Sequence, residues 1–174
     1  MTLKAPHLEF LRRLKAEKVD FLLVGALAIG HYAPELSQAY STFDCDVLLR
    51  PELAHLSRAV RTLARCGFKL RVGDEPLVKP DVVVFKRLLE FGTTVCGERP
   101  DALSVELLLE AKGFSFAQWW QTRREFRVSG FRLACGSLDK LLASKRASGR
   151  PKDKAFLKLY AAGLRTAAPR RVNP

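Results

Sequence analysis

Acidic residues are scarce in this sequence. Asp and Glu number 18 against 30 Lys and Arg, a formal charge of +12 over 174 residues. That balance excludes an acidic, solvating chain and favours polyanions: nucleic acid, nucleotide phosphates or anionic lipid. Long apolar runs are missing too. None reaches the roughly 18–20 residues needed to cross a bilayer. The start, MTLKAPHLEFLRRLKAEK, has no signal-peptide core and spaces its apolar residues like an amphipathic helix. The expectation is a soluble, cytoplasmic protein with no membrane partner. Cys45, Cys66, Cys96 and Cys135 form no C-x-x-C pair. Zinc and thioredoxin-like signatures are therefore absent, and reduced, mostly buried thiols are expected. Gly25 and Gly30 are five apart, so there is no G-x-G-x-x-G, and His31 follows Gly30 where a P-loop requires Lys. No G-x-S-x-G occurs, and His7, His31 and His55 lie apart, so no hydrolase triad is evident.

What is present is an alternation of helix-like and strand-like segments. The hydrophobic fraction, 48%, is too high for a disordered chain. Leu8, Leu11 and Leu14 predict a helix over 6–18. Residues 20–24, DFLLV, read as a short buried strand, after which Gly25 turns the chain into a helix in ALAIGHY. Residues 43–49 read as the second strand. Leu53, Leu56, Val60 and Leu63 share one face of a helix over 52–66. A strand at 67–72 and a turn at 73–76 follow. DVVVFK at 81–86 and EFGTTV at 90–95 are β-rich and read as segments able to pair. A strand is expected at 102–109 and a pair of strands over 123–135, around Ser129–Gly130. Ser137 is predicted to cap a helix over 138–148, which Gly149 and Pro151 stop before a last helix at 152–162. The pattern gives α/β or α+β, with one domain over 1–165 and a loose basic tail at 166–174.

The stretch TFDCDVLL, Thr42 to Leu49, stands out. A buried-looking strand carries Asp44 and Asp46, and a carboxylate is costly to bury unless paired, hydrogen-bonded or metal-bound. Residues i and i+2 of a strand face one way, roughly 6.6–6.8 Å apart at Cα. Asp44 and Asp46 therefore point to one side, and Phe43, Cys45 and Val47 to the core. Two like charges so placed raise one pKa unless a cation intervenes. Mg²⁺ resolves this, because it binds through one or two carboxylates plus substrate phosphates. Glu106, inside the apolar run LSVELLLE, is the candidate third carboxylate. Gly25, between strand and helix, is a candidate phosphate cradle, since a glycine there lets an anion approach the free N–H groups of a helix start.

Basic residues collect toward the end. Residues 139–154, DKLLASKRASGRPKDK, hold six Lys or Arg against two Asp. Leu138, Leu141, Leu142 and Lys145 fall at i, i+3, i+4 and i+7, so Lys145 continues an apolar stripe. Such a lysine either snorkels to the rim or reaches a buried anion. Phe114, Phe116, Trp119 and Trp120 precede Arg123, Arg124 and Arg127. That run suits either a packed aromatic cap or stacking on single-stranded nucleic acid.

Together, FLLVGALAIGHYAP, TFDCDVLLRP, LSVELLLEAKGF and SLDKLLASKRASGRPKD resemble the minimal nucleotidyltransferases of the DNA polymerase β-like superfamily. The nearest look is to small bacterial members related to the toxins of abortive-infection and toxin–antitoxin systems. The resemblance implies a nucleotidyltransferase fold: a mixed sheet flanked by helices, with further helices at the C-terminal end. It implies Gly25 and Ala26 against the nucleotide phosphates, with Lys145, Arg150 and Lys152 on the triphosphate. Asp44 and Asp46 would hold Mg²⁺ or Mn²⁺, and Glu106 would be the third ligand or the base for an incoming hydroxyl. The implied activity moves a nucleoside monophosphate from a nucleoside triphosphate to a hydroxyl of RNA, protein or a small molecule. Three departures stand out. Ala26 replaces Gly or Ser, residues 27–43 lengthen the interval before Asp44, and Glu106 replaces the commoner Asp. They support the alternative expectation, a catalytically degenerate module that binds nucleotide, RNA or a cognate partner protein.

Overall fold

The computed structural model describes residues 3–32, 44–101 and 103–166. In chain order these form α1 (Ala5–Ala16), β1 (Phe21–Leu23), α2 (Gly25–Tyr32), β2 (Asp44–Leu49), α3 (Leu53–Arg65), β3 (Lys69–Val72), β4 (Glu75–Pro76) and α4 (Val82–Glu90). There follow β5 (Val95–Glu98), β6 (Ser104–Leu108), α5 (Phe116–Gln121), β7 (Arg124–Val128), β8 (Phe131–Cys135), α6 (Leu138–Ser148) and α7 (Pro151–Thr166). The described strands make one mixed sheet in the order β4-β3-β5-β6-β2-β1-β8-β7. The parallel pairs are β2 with β6 and β1 with β8.

Two glycines show which helices cover which face. A methyl on Gly97 of β5 would meet Leu63 of α3 at 2.7 Å, so that side of the sheet lies on α3. Helix α1 packs beside α3, with the rings of Phe10 and Phe68 6.5 Å apart. Gly25, opening α2, instead abuts the side chain of Asp46, so α2 covers the opposite face together with α6. Cys45, Val47, Val95, Val105 and Leu107 are fully buried in the core. Leu48 and Leu49 are also buried, because both faces are covered where α2 and α6 lie.

Segment 81–86, read as β-rich, is helical. Asp81 caps α4, its carboxylate accepting the N–H of Val84 at 2.9 Å. Phe85 and Leu88, one turn apart, are buried, and α4 packs against α3. Tertiary burial and the cap override the weak helix propensity of three successive valines. The neighbouring strand begins at Val95, after α4 has ended. Ser137 does sit at the N-cap of α6, but its side chain makes no cap hydrogen bond; Oγ instead lies 3.3 Å from the hydroxyl of Thr122. Gly149 closes α6 in the left-handed conformation, φ 64°. Helix α7 extends to Thr166, so the expected tail begins in helix. Residues 167–174, like Thr42 and Phe43, lie outside the described residues. No described helix is long and apolar enough to cross a membrane.

Candidate active site

Strands β2 and β6 run parallel in register, with Asp44 opposite Ser104 and Asp46 opposite Glu106. Registered partners share a face, so the three carboxylates expected to converge do lie on one side of two adjacent strands. The Ser104 hydroxyl donates to Asp44 Oδ1 at 2.6 Å. On β5, Cys96 stands opposite Glu106 and extends the same row. Cys45 and Val47 face the core, as the alternation requires.

The start of α2 is fixed against this row. Val24 N–H donates to the backbone carbonyl of Asp46 at 2.9 Å, which holds the end of β1 on β2. The next residue, Gly25, has φ 68°, and a methyl there would fall 1.7 Å from Asp46 Oδ2. Conformation and space both demand glycine. Burial, followed by the charges of Glu106 and Asp44, pushes the Asp46 carboxyl up to about 7; Lys145 and Arg150 pull the other way.

The opposite wall is cationic and comes from the α6–α7 corner. Lys145 does reach a buried anion, and that anion belongs to the protein. Its Nζ donates to Asp153 Oδ1 at 2.7 Å, and the ammonium also lies 4.9 Å from the Phe156 ring. Arg150 Nε donates to Asp153 Oδ2 at 2.7 Å, and the Ser148 hydroxyl donates to the same oxygen. Asp153 is only 1% exposed. Burial alone would raise its pKa, but hydrogen bonds from Lys145, Ser148 and Arg150 overcome that and hold it well below the usual carboxylate range. Asp153 escaped the sequence reading because it sits inside a basic run; the faint signal was one acid eight residues beyond the stripe lysine.

Between the walls lies a cleft of about 410 Å³. Gly25, Ala26, Asp44, Asp46 and Glu106 line one side, and Lys145, Arg150 and Lys152 the other. Every residue expected at the site therefore borders a single cavity. Trp119, which the sequence did not single out for the site, adds an indole to its lining. The aromatic run itself is packed. Phe114 meets Trp119 edge-on at 5.5 Å, Phe116 stacks on Trp120 at 5.5 Å, and Arg123 covers Trp120 at 4.2 Å. Among the described residues, no group of three or more His, Cys, Asp or Glu side chains is arranged to hold a metal ion. The oxygen donors nonetheless suit a hard divalent cation, which commonly takes one or two carboxylates and completes its shell with substrate oxygens. The raised Asp46 carboxyl marks where added positive charge would be stabilising.

No protein-family model matches the chain, and no curated protein matches it either. Solved structures do. The lincosamide antibiotic adenylyltransferase LnuA, bound to lincomycin, is 15% identical and superposes with a TM-score of 0.61, over 95% of this chain and 98% of that one. ANT(2'')-Ia in complex with adenylyl-2''-tobramycin is 14% identical with a TM-score of 0.53, over 90% of this chain and 89% of that one. The chain has a nucleotidyltransferase fold. Within this nucleotidyltransferase fold, the carboxylate row occupies two neighbouring central strands, β2 and β6, and the cationic wall the helices after the sheet.

Proposed function

We propose that the protein is a metal-dependent nucleotidyltransferase, built as one domain over residues 1–165. One observation carries the reading: Asp44, Asp46 and Glu106 share a sheet face beside Gly25, across a single cleft from Lys145, Arg150 and Lys152. Asp44 and Asp46 would hold Mg²⁺ or Mn²⁺, which supplies charge neutralisation at the transferring phosphoryl group. The start of α2, at Gly25 and Ala26, offers its free N–H groups to the phosphates beside the Asp46 carboxylate. Lys145, Arg150 and Lys152 offset the triphosphate charge. Glu106 takes the proton of the incoming hydroxyl. That oxygen bonds to the α-phosphorus, the bond from the α-phosphorus to the bridging oxygen breaks, and pyrophosphate leaves. The protein's work is positioning and electrostatics.

The acceptor is a hydroxyl of RNA, protein or a small molecule. Likeness to two antibiotic adenylyltransferases supports beginning an acceptor panel with small hydroxylated compounds. The test is transfer of label from α-³²P nucleoside triphosphates by wild type, Asp44→Asn and Asp46→Asn. Transfer should be abolished in both variants with folding retained; full activity in either refutes the reading.

One observation favours a second reading, a degenerate binding module: Lys145 and Arg150 already have a protein counter-ion in Asp153. Calorimetry separates the two. Nucleotide binding that requires Mg²⁺ supports the enzyme, and metal-independent binding supports the module.

A further inference from the structure

The β7–β8 hairpin breaks a rule of sheet pairing. Arg127 and Arg132 are register partners, directly opposite each other. Such partners hold their Cβ atoms roughly 4.5–5.5 Å apart, and like charges so placed destabilise the pair. Both arginines are exposed. The nearby acid, Glu125, approaches Arg132 only at 3.8 Å, with both side chains largely in solvent.

Helix α1 adds charge to the same place. Lys15 Nζ donates to the backbone carbonyl of Arg132 at 2.8 Å, and Arg12 donates to the carbonyl of Ser129 at the hairpin tip. Arg12 also lies over the Phe131 ring at 5.5 Å. These contacts position two cations and neutralise neither, because their acceptors are carbonyls. Arg13, by contrast, is paired with Glu9 at 2.8 Å. On the hairpin's other face Phe126, which alternates with Arg127, packs on His31 and Tyr32 of α2, with Arg124 exposed beside it. Arg127 and Arg132 therefore lie on the face turned away from α2, while Arg12 reaches the hairpin tip and Lys15 the backbone of β8.

Folding gives no reason to gather four cations where two repel each other, whereas a polyanion does. We infer that Arg12, Lys15, Arg127 and Arg132 form a contact surface for the phosphate backbone of single-stranded RNA. A protein partner is disfavoured because interfaces of that kind have an apolar core, and these side chains are exposed and charged. A single strand is favoured over a duplex because its flexible backbone can follow cations set on two separate elements, α1 and the β7–β8 hairpin. The surface is separate from the cleft, so its binding needs neither nucleotide nor metal, and it stands or falls apart from the transfer reaction.

The test is fluorescence anisotropy of a labelled uridine 20-mer against the full chain, titrated with salt. Each phosphate contact to a single strand contributes about 0.7 to the slope of log K against log [salt]. R127A/R132A should lower that slope by about 1.4. K86A/R87A, which removes equal charge from α4, should leave it unchanged. R127K/R132K should retain it, and R127Q/R132Q serves should the alanine variant not fold. Equal losses in both charge-removal variants would mean diffuse attraction and overturn the proposal. It is also overturned by a chain that does not bind the 20-mer at low salt, or that binds an RNA duplex or poly-L-glutamate as tightly.

Discussion

Gly25 and Asp46 compete for one space: the Cβ that any other residue would carry at position 25 falls 1.7 Å from Asp46 Oδ2. Backbone and carboxylate fit together only because the side chain is absent. Gly25→Ala adds the left-handed backbone penalty, about 1–2 kcal/mol, and forces Asp46 to move. Displacing a positioning group by about 1 Å costs on the order of 10²-fold in rate. The expected outcome is a modest fall in thermal stability with a roughly hundredfold loss of transfer. Steady-state kinetics beside a melting curve checks it.

The raised carboxyl of Asp46 gives a pH signature. Its folded value, about 7, lies above the ordinary 3.8, so the native state binds the extra proton between the two. Stability of the metal-free protein therefore falls as pH rises from about 4 to about 7. Asp46→Asn should flatten this slope in urea unfolding series. Cation binding must displace the same proton, so Mg²⁺ affinity should drop about tenfold per pH unit below about 7. Affinity independent of pH would mean Asp46 is no ligand.

Asp153 has the opposite sign. Its folded value is depressed, so its contribution to stability is present above the ordinary carboxylate range and is lost as pH falls through and below that range. Removing one partner of a buried ion pair costs about 3–5 kcal/mol. Asp153→Ala should lose that much at pH 7, while Asp153→Asn loses less and shows a shallower acid limb. Chemical denaturation at pH 7 and at pH 3 measures both.

Helix α4 offers a test of the fold itself. Asp81→Ala removes a cap worth about 1 kcal/mol. Phe85→Ala empties a fully buried site and should cost about 3–5 kcal/mol. If the segment were a strand, the cap substitution would have little effect. Helical content and unfolding midpoints distinguish the cases.

The carboxylate row was legible because strand alternation is rigid: once β2 was identified, Asp44 and Asp46 had to share a face. Glu106 was legible because a charge within LSVELLL needed a reason. The Val82–Val84 run misled, since β-branched residues favour strands and only burial against α3 and the Asp81 cap made it helical. Asp153 was hidden by its basic neighbours; its role depends on the α6–α7 corner at Gly149, which local periodicity does not report. Strand order was not legible at all. That β8 runs beside β1, and β6 beside β2, depends on pairings between residues far apart in the chain.

The tryptophans have a practical consequence. The chain holds two, Trp119 and Trp120, adjacent on α5. One is fully shielded from water at the cleft wall, and the other lies half-buried under a guanidinium. The Trp119 share of the intrinsic emission therefore originates beside the cavity, and a molecule entering it should be visible optically without any attached dye.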